Sequence, residues 1–278
     1  TGMTYAGYTV QVTAGGDVRV NNELRLSGGD VTNLNPVRTG HLTMVIAGDL
    51  LFSSTGKIFT KGWKYPLSAT KYNGGIGGNQ TYTVSGLVNL AVGSVMDASG
   101  GDTFQNTSAP VGGNGGTISI TATNAVVLRG SVLSAGGKGN SGGTGGTLNI
   151  TSNSSYVDYS GVMSSLGGLG NYAGGGGNGG NINLSGLGGL SIRSDLNTAM
   201  ATGMTTYSYK NGGTITLNTG NLSLTTGGGM NDGVTLGVIR GGNLIKNGVG
   251  ILALGMVNVY LGSTTVNAGK LYLNVSDA

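Results

Sequence analysis

Titratable side chains are where chemistry would have to start, and this sequence of 278 residues has few of them: 14 Lys and Arg, 10 Asp and Glu, one His and no Cys. Glycosidic hydrolysis needs two carboxylates facing one another across the substrate, about 5 to 10 Å apart. The acids are Asp17, Glu23, Asp30, Asp49, Asp97, Asp102, Asp158, Asp195, Asp232 and Asp277. No two sit at i and i+2 on a strand and none falls in a recurring column, so the sequence nominates no catalytic pair. Asp97 comes closest, in an expected inward column with Thr60, Ser134 and Ser164, and reads as a hydrogen-bonded turn residue. His41 is alone, lacks the partners that metal sites and triads require, and reads as a structural residue opening a strand. Calcium-binding glycine-rich rolls need an aspartate at a fixed place in a nonapeptide, and "GGKGNSGGTGG" and "GGGGNGGN" contain none. No glycine run continues into GK[ST] and a helix, so phosphate cradling has no support. The expectation is no enzyme, no metal and no cofactor.

One stretch concentrates binding chemistry. "KIFTKGWKYPLSATKYNGG", residues 57 to 75, holds four of the fourteen basic residues and the only tryptophan. It suggests an inserted basic and aromatic loop over residues 57–80. Lys61, Trp63, Lys64, Tyr65, Lys71 and Tyr72 become ligand candidates, because exposed rings stack on sugars and lysines attract anionic polysaccharide. The competing reading is a solvated loop whose Trp63 packs on the flank of the fold.

The elements that would position these residues are built around glycine: 59 of the 278 residues, beside only 3 prolines. Glycine does not recur strictly every third residue, which excludes collagen. Strand-like segments of Val, Ile, Leu and Thr interrupt it, and an apolar share of 37 % suffices for a narrow core. The net charge of +4 is small and scattered, which argues against nucleic-acid binding. No apolar run of about 18 residues could span a bilayer as a helix. The opening at Thr1 fits a chain whose initiator and export signal have been removed.

Repetition sets the fold. "GGTISITATNAVVLRGSVLSAGG", "GGTLNITSNSSYVDYSGVMSSLGG", "GGNINLSGLGGLSIRSDL" and "GGTITLNTGNLSLTTGGG" align, with first strands beginning at Thr117, Thr147, Asn181 and Thr214. Looser copies precede them, and "GGNLIKNG" and "GKLYLNVS" follow, giving about nine units. Alternation points Ile118 and Ile120, Leu148 and Ile150, Ile182 and Leu184, and Ile215 and Leu217 inward, with Thr, Ser and Asn outward. A second column holds Phe52, Val92, Leu128 and Tyr159; turns follow at Gly56, Gly93, Gly130 and Gly161; a third column holds Ile58, Val95, Val132 and Val162. This describes an all-β, right-handed parallel β-helix of about nine coils, three short strands per coil, forming one domain over 1–278 in a rod about 40 Å long. The glycine surplus after each third strand would emerge at one corner and stack, with Gly136 to Gly146 in register with Gly112 to Gly116 and Gly167 to Gly180. The outward hydroxyl ladder also raises ice binding as a remote reading.

Residues 241 to 274, "GGNLIKNGVGILALGMVNVYLGSTTVNAGKLYLN", resemble the autotransporter-associated β-strand repeat. The resemblance rests on Gly242, Leu244, Lys246, Gly248, Gly250, Leu252, Leu254, Tyr260, Gly262, Thr264, Ala268, Gly269 and Leu271. Residues 86 to 180 look like coils of haemagglutinin-type bacterial exoproteins. These resemblances imply an exported passenger, extracellular or on a bacterial surface, serving adhesion, aggregation or matrix building. No translocating barrel follows residue 278, so an excised part or another export route is expected. The first and last units look like ordinary coils without caps, which predicts self-association, end to end or lateral, with head-to-tail stacking giving a filament. The other partner expected is host or matrix polysaccharide.

Overall fold

A computed structural model describes residues 8–27, 39–64, 73–103, 110–170, 175–199, 211–220, 233–235, 239–254, 259–260 and 262–273. The chain is a parallel β-helix. The first strands of successive coils are Thr9–Ala14, His41–Ile46, Gln80–Val84, Thr117–Ala122, Thr147–Ser152, Asn181–Gly186, Thr214–Thr219, Asn243–Asn247 and Thr264–Val266. They pair in that order, all parallel, as one nine-stranded sheet. The second strands run from Val18–Val20, Leu50–Phe52 and Val88–Leu90 through to Lys270–Leu273 and form a second nine-stranded sheet. Glu23–Arg25, Lys57–Phe59, Val95–Asp97, Ser131–Leu133, Val162–Ser164 and their successors form a third of eight strands.

Period-2 alternation on each first strand makes the core. Ile118 lies over Leu148, Ile182 and Ile215 in register, and Ile120 over Ile150, Leu184 and Leu217, all of them buried. Burying a side chain of that size contributes about 1.5 to 3 kcal/mol. The column repeats at every coil, so the core is a continuous apolar stack along the axis. Tyr82 and Tyr159 share it; burial raises both phenols above their ordinary range. Their hydroxyls are nevertheless bonded, Tyr82 donating to Gln80 Oε1 at 2.8 Å and Tyr159 to the Asp195 carbonyl at 2.9 Å.

Several sequence-derived columns need correction. Leu90, not Val92, stacks between Phe52 and Leu128; Val92 is 71 % exposed. Ser94, not Gly93, continues the turn column of Gly56, Gly130 and Gly161, and Gly93 takes a positive φ of 90° one residue earlier. In the third strand Met96 and Met163, not Val95 and Val162, join Ile58 and Val132 inside. The physical reason is phase: the inward residue lies two after the one that closes the turn, Gly56, Ser94, Gly130 or Gly161, and a one-residue slip reverses every side chain. Asp97 aligns with Phe59 and Leu133, so Ala98 occupies the column of Thr60 and Ser134. Lys270–Leu273, expected to open the ninth coil, is its second strand; Thr264–Val266 is the first.

The C-terminal coils are short. Thr264 lies over Leu244. Here Lys246 points inward, fully buried over Leu217, and its ammonium donates to the carbonyls of Asn247 at 2.6 Å, Gly248 at 2.7 Å and Ala268 at 3.3 Å. Gly248 and Gly269 adopt φ of 75° and 72°, and their turn turns carbonyls inward where a cation can collect them.

Candidate functional site

The glycine runs are ordered, and their order explains their composition. Each loop leaves the third sheet as an outgoing segment (60–64, 98–103, 134–139, 165–170) and returns to the first sheet as a second one (73–79, 111–116, 141–146, 175–180). Outgoing segments bond to outgoing ones in the next coil: Gly62 N–H to Ser99 O at 2.8 Å, Gly100 to Ala135 at 2.8 Å, Gly136 to Leu166 at 2.8 Å. Returning segments do the same, Gly74 to Val111 at 2.8 Å, Gly112 to Ser141 at 2.9 Å and Gly142 to Gly175 at 3.1 Å. The two layers are then laced together. Gly75 donates to Trp63, Gly101 to Gly75, Gly113 to Gly101, Gly137 to Gly113, Gly143 to Gly137, Gly168 to Gly143 and Gly177 to Gly168, at 2.7 to 3.1 Å.

Burial follows a period of three. Gly74, Gly75, Gly77 and Gly78 are buried while Asn73, Ile76 and Asn79 are exposed, and Gly112 and Gly113 are buried between exposed Val111 and Asn114. Three residues per turn is the geometry of the extended polyproline II helix, which has no internal hydrogen bonds and must find its partners sideways. A Cβ on Gly113 would strike the Gly75 carbonyl, and one on Gly143 the Gly113 carbonyl. Close lateral approach, rather than positive φ, is why these positions are glycine.

The third residue of each turn has its own pattern. Asn73 Oδ1 accepts the Val111 N–H at 2.9 Å, Asn114 Oδ1 that of Thr144 at 2.9 Å, Asn178 Oδ1 that of Asn211 at 3.1 Å and Asp102 Oδ1 that of Lys138 at 2.7 Å. His41 belongs to the same device: its Nδ1 accepts the Asn79 N–H at 3.0 Å, and Asn79 Oδ1 accepts the Thr117 N–H at 2.9 Å. Side-chain acceptors thus satisfy outward backbone donors that the lattice leaves over.

Of the residues nominated for binding, Lys61, Trp63 and Lys64 lie together on the first outgoing segment. Lys57–Phe59 is a regular strand, and Thr60 to Lys64 run along the outgoing layer. Trp63 stands where later coils have Gly101, Gly137 and Gly168, and its indole covers Gly75, so a Cβ there would meet the ring. It heads the laced chain of hydrogen bonds. Lys61 pairs with buried Asp97 at 3.3 Å, and Lys64 is exposed. Tyr65, Lys71 and Tyr72 lie outside the described residues.

The described acids are engaged one at a time. Asp97 Oδ1 also accepts the Ser99 N–H at 2.9 Å, Asp17 and Asp49 accept the N–H groups of Asp49 and Leu87, Asp158 meets Arg193 at 3.3 Å and Glu23 meets Arg25 at 2.6 Å. Among the described residues no three His, Cys, Asp or Glu side chains gather as a metal site would require. A half-open depression of about 180 Å³ between Thr151, Asn153, Ser185, Leu187 and Asn218 offers hydroxyl and amide groups and no titratable side chain. No helix among the described residues is long and apolar enough to cross a membrane. No family model, no curated protein and no solved structure matches this chain.

Sequence reasoning placed the glycine stack at one corner but missed its two-layer form. The period of three in "NGGIGGN" and "VGGNGGT" was the available signal.

Proposed function

We propose that this chain is a non-enzymatic structural or adhesive element of a bacterial exterior, a stiff β-helical rod that presents side chains in fixed rows. The observation that carries this reading is the laced glycine bilayer. A loop of this composition would be the softest part of an ordinary fold, because glycine loses the most entropy on ordering. Here every layer bonds to the next coil and to its partner layer, which converts the corner into a platform about as regular as the sheets. Carboxylates that serve one by one as acceptors for backbone donors fit a scaffold better than a hydrolase, whose acids must face each other. The resemblance of residues 241–274 to the autotransporter-associated repeat supports an exported, surface-exposed setting.

The test uses inert beads coated with the purified protein, offered to bacterial cells and to immobilised polysaccharides and glycoproteins. The expected result is adherence to at least one surface with no release of reducing ends or unsaturated products over prolonged incubation. Steady release of such products, or no adherence to any surface, overturns the reading.

A further inference from the structure

The outward face of the first sheet differs from the rest of the rod. Its two central columns run in unbroken register from Gln11 to Thr265 and from Thr13 to Asn247, and neither contains a charged residue. The chain nevertheless carries 14 Lys and Arg and 10 Asp and Glu. Of Asp, Glu, Lys, Arg and His, the strands of this sheet hold only two residues. His41 accepts a backbone N–H, and Lys246 points inward. The second and third sheets place Arg19, Glu23, Arg25, Lys57 and Asp158 on their strands. Solubility alone would be served by charge on any of the three faces, so its exclusion from one needs a separate cause.

The same face is pre-organised. Asn149 Nδ2 donates to Ser119 Oγ at 3.2 Å, Asn183 Nδ2 to Asn149 Oδ1 at 2.8 Å and Asn218 Nδ2 to Ser185 Oγ at 3.2 Å. The threonines between them have a stiff χ1. Rows repeat at about 4.8 Å along the axis and alternate residues at about 6.6 Å along each strand, so the surface is periodic in two directions.

We propose that this face binds an uncharged polysaccharide presented as an ordered sheet. The inference rests on the adhesive reading above and names its ligand class. Hydroxyls and amides that both donate and accept match the hydroxyl and acetamido groups of such a polymer, and exposed Val45 lies among them as an apolar spot for the C–H side of a sugar ring. An uncharged face repels neither a neutral polymer nor its hydration. Each contact exchanges a bond to water for a bond to ligand and gains little, so affinity comes from many pre-ordered contacts in parallel.

The experiment is depletion of the purified protein by chitin and by microcrystalline cellulose, with heparin–agarose as the anionic comparison and thermal hysteresis measured on the same samples. The variant carries Thr83→Lys and Thr121→Lys, both exposed on this face; Asn89→Lys, on the second sheet, is the control. The expected result is salt-insensitive retention on chitin or cellulose, weakened at least tenfold in the double variant and unchanged in the control, with all three proteins unfolding at the same temperature. Retention unaltered in the double variant overturns the proposal. So does binding to heparin alone, or thermal hysteresis without retention on either neutral polymer. If coated beads still adhere to cells while the neutral polymers retain nothing, this inference fails and the adhesive reading stands.

Discussion

At the residue scale the glycines and their neighbours in the triplet carry opposite expectations. Replacing a glycine by alanine restricts the unfolded chain and would by itself stabilise by about 0.4 to 1 kcal/mol where the native backbone permits. At Gly143 the new Cβ collides with the Gly113 carbonyl of the neighbouring coil, a rigid backbone atom that is itself hydrogen-bonded within the lattice. Overpacking of this kind costs about 1 to 3 kcal/mol, so the steric effect wins. Thr144, one residue on, faces outward, and its place in the lattice depends on its backbone N–H bond to Asn114 Oδ1. Gly143→Ala is therefore expected to lower the urea midpoint clearly, whereas Thr144→Ala should stay within about 0.5 kcal/mol of the parent. Equal effects of the two substitutions would show that the lattice does not discriminate its own positions.

At the element scale, what the sequence revealed and what it hid have separate physical causes. The first strands were legible to the residue at Thr117, Thr147, Asn181 and Thr214, because five or six positions of alternation fix a phase. The third strands have only three residues, and "VMD" and "VMS" place apolar Val and Met side by side, so either phase looks acceptable. What decides is which residue closes the preceding turn, Ser94 in one coil and Gly161 in the other, because the inward side chain lies two residues after it. Of the candidate site, Trp63 and its lysines stood out by composition, but composition does not show that the indole lies on Gly75. The glycine layers were legible as a stack and not as a bilayer, since which amide bonds to which is set by the crossing of outgoing and returning segments. The bilayer makes its own prediction for hydrogen exchange. The amides of Gly101, Gly113, Gly137, Gly143 and Gly168 each donate to a buried carbonyl, so they should be protected to a degree similar to the strand amides of Thr117–Ala122. Exchange of these five amides at the rate of exposed loops would remove the lattice from the structural account.

At the scale of the whole molecule, the question is what meets the outer edge of Thr9–Ala14. In a parallel ladder a residue directs its N–H and its C=O to the same neighbour. His41 donates to the Tyr8 carbonyl and Ala47 to the Ala14 carbonyl, so Tyr8, Val10, Val12 and Ala14 face the second coil. Thr9, Gln11 and Thr13 then direct their backbone groups the other way, and the inward Val10, Val12, Val18 and Val20 remain only partly buried against the core. A further coil placed on this edge would complete both the ladder and the apolar stack. The last coil supplies a match in kind, with Thr264–Val266 and Lys270–Leu273 largely exposed. Were a second copy to add head to tail at this edge, the contact would be heterologous, so it would extend rather than close. Proline at position 11 tests it selectively. It removes an N–H that points off the edge and leaves the bonds between the first and second coils in place. The purified protein should sediment with a weight-average mass that rises with concentration and should show rods longer than one molecule in electron micrographs. Gln11→Pro should sediment as a monomer at every concentration while unfolding within a few degrees of the parent. Concentration-independent sedimentation of the parent would remove the filament, and growth that Gln11→Pro does not interrupt would place the assembly surface elsewhere.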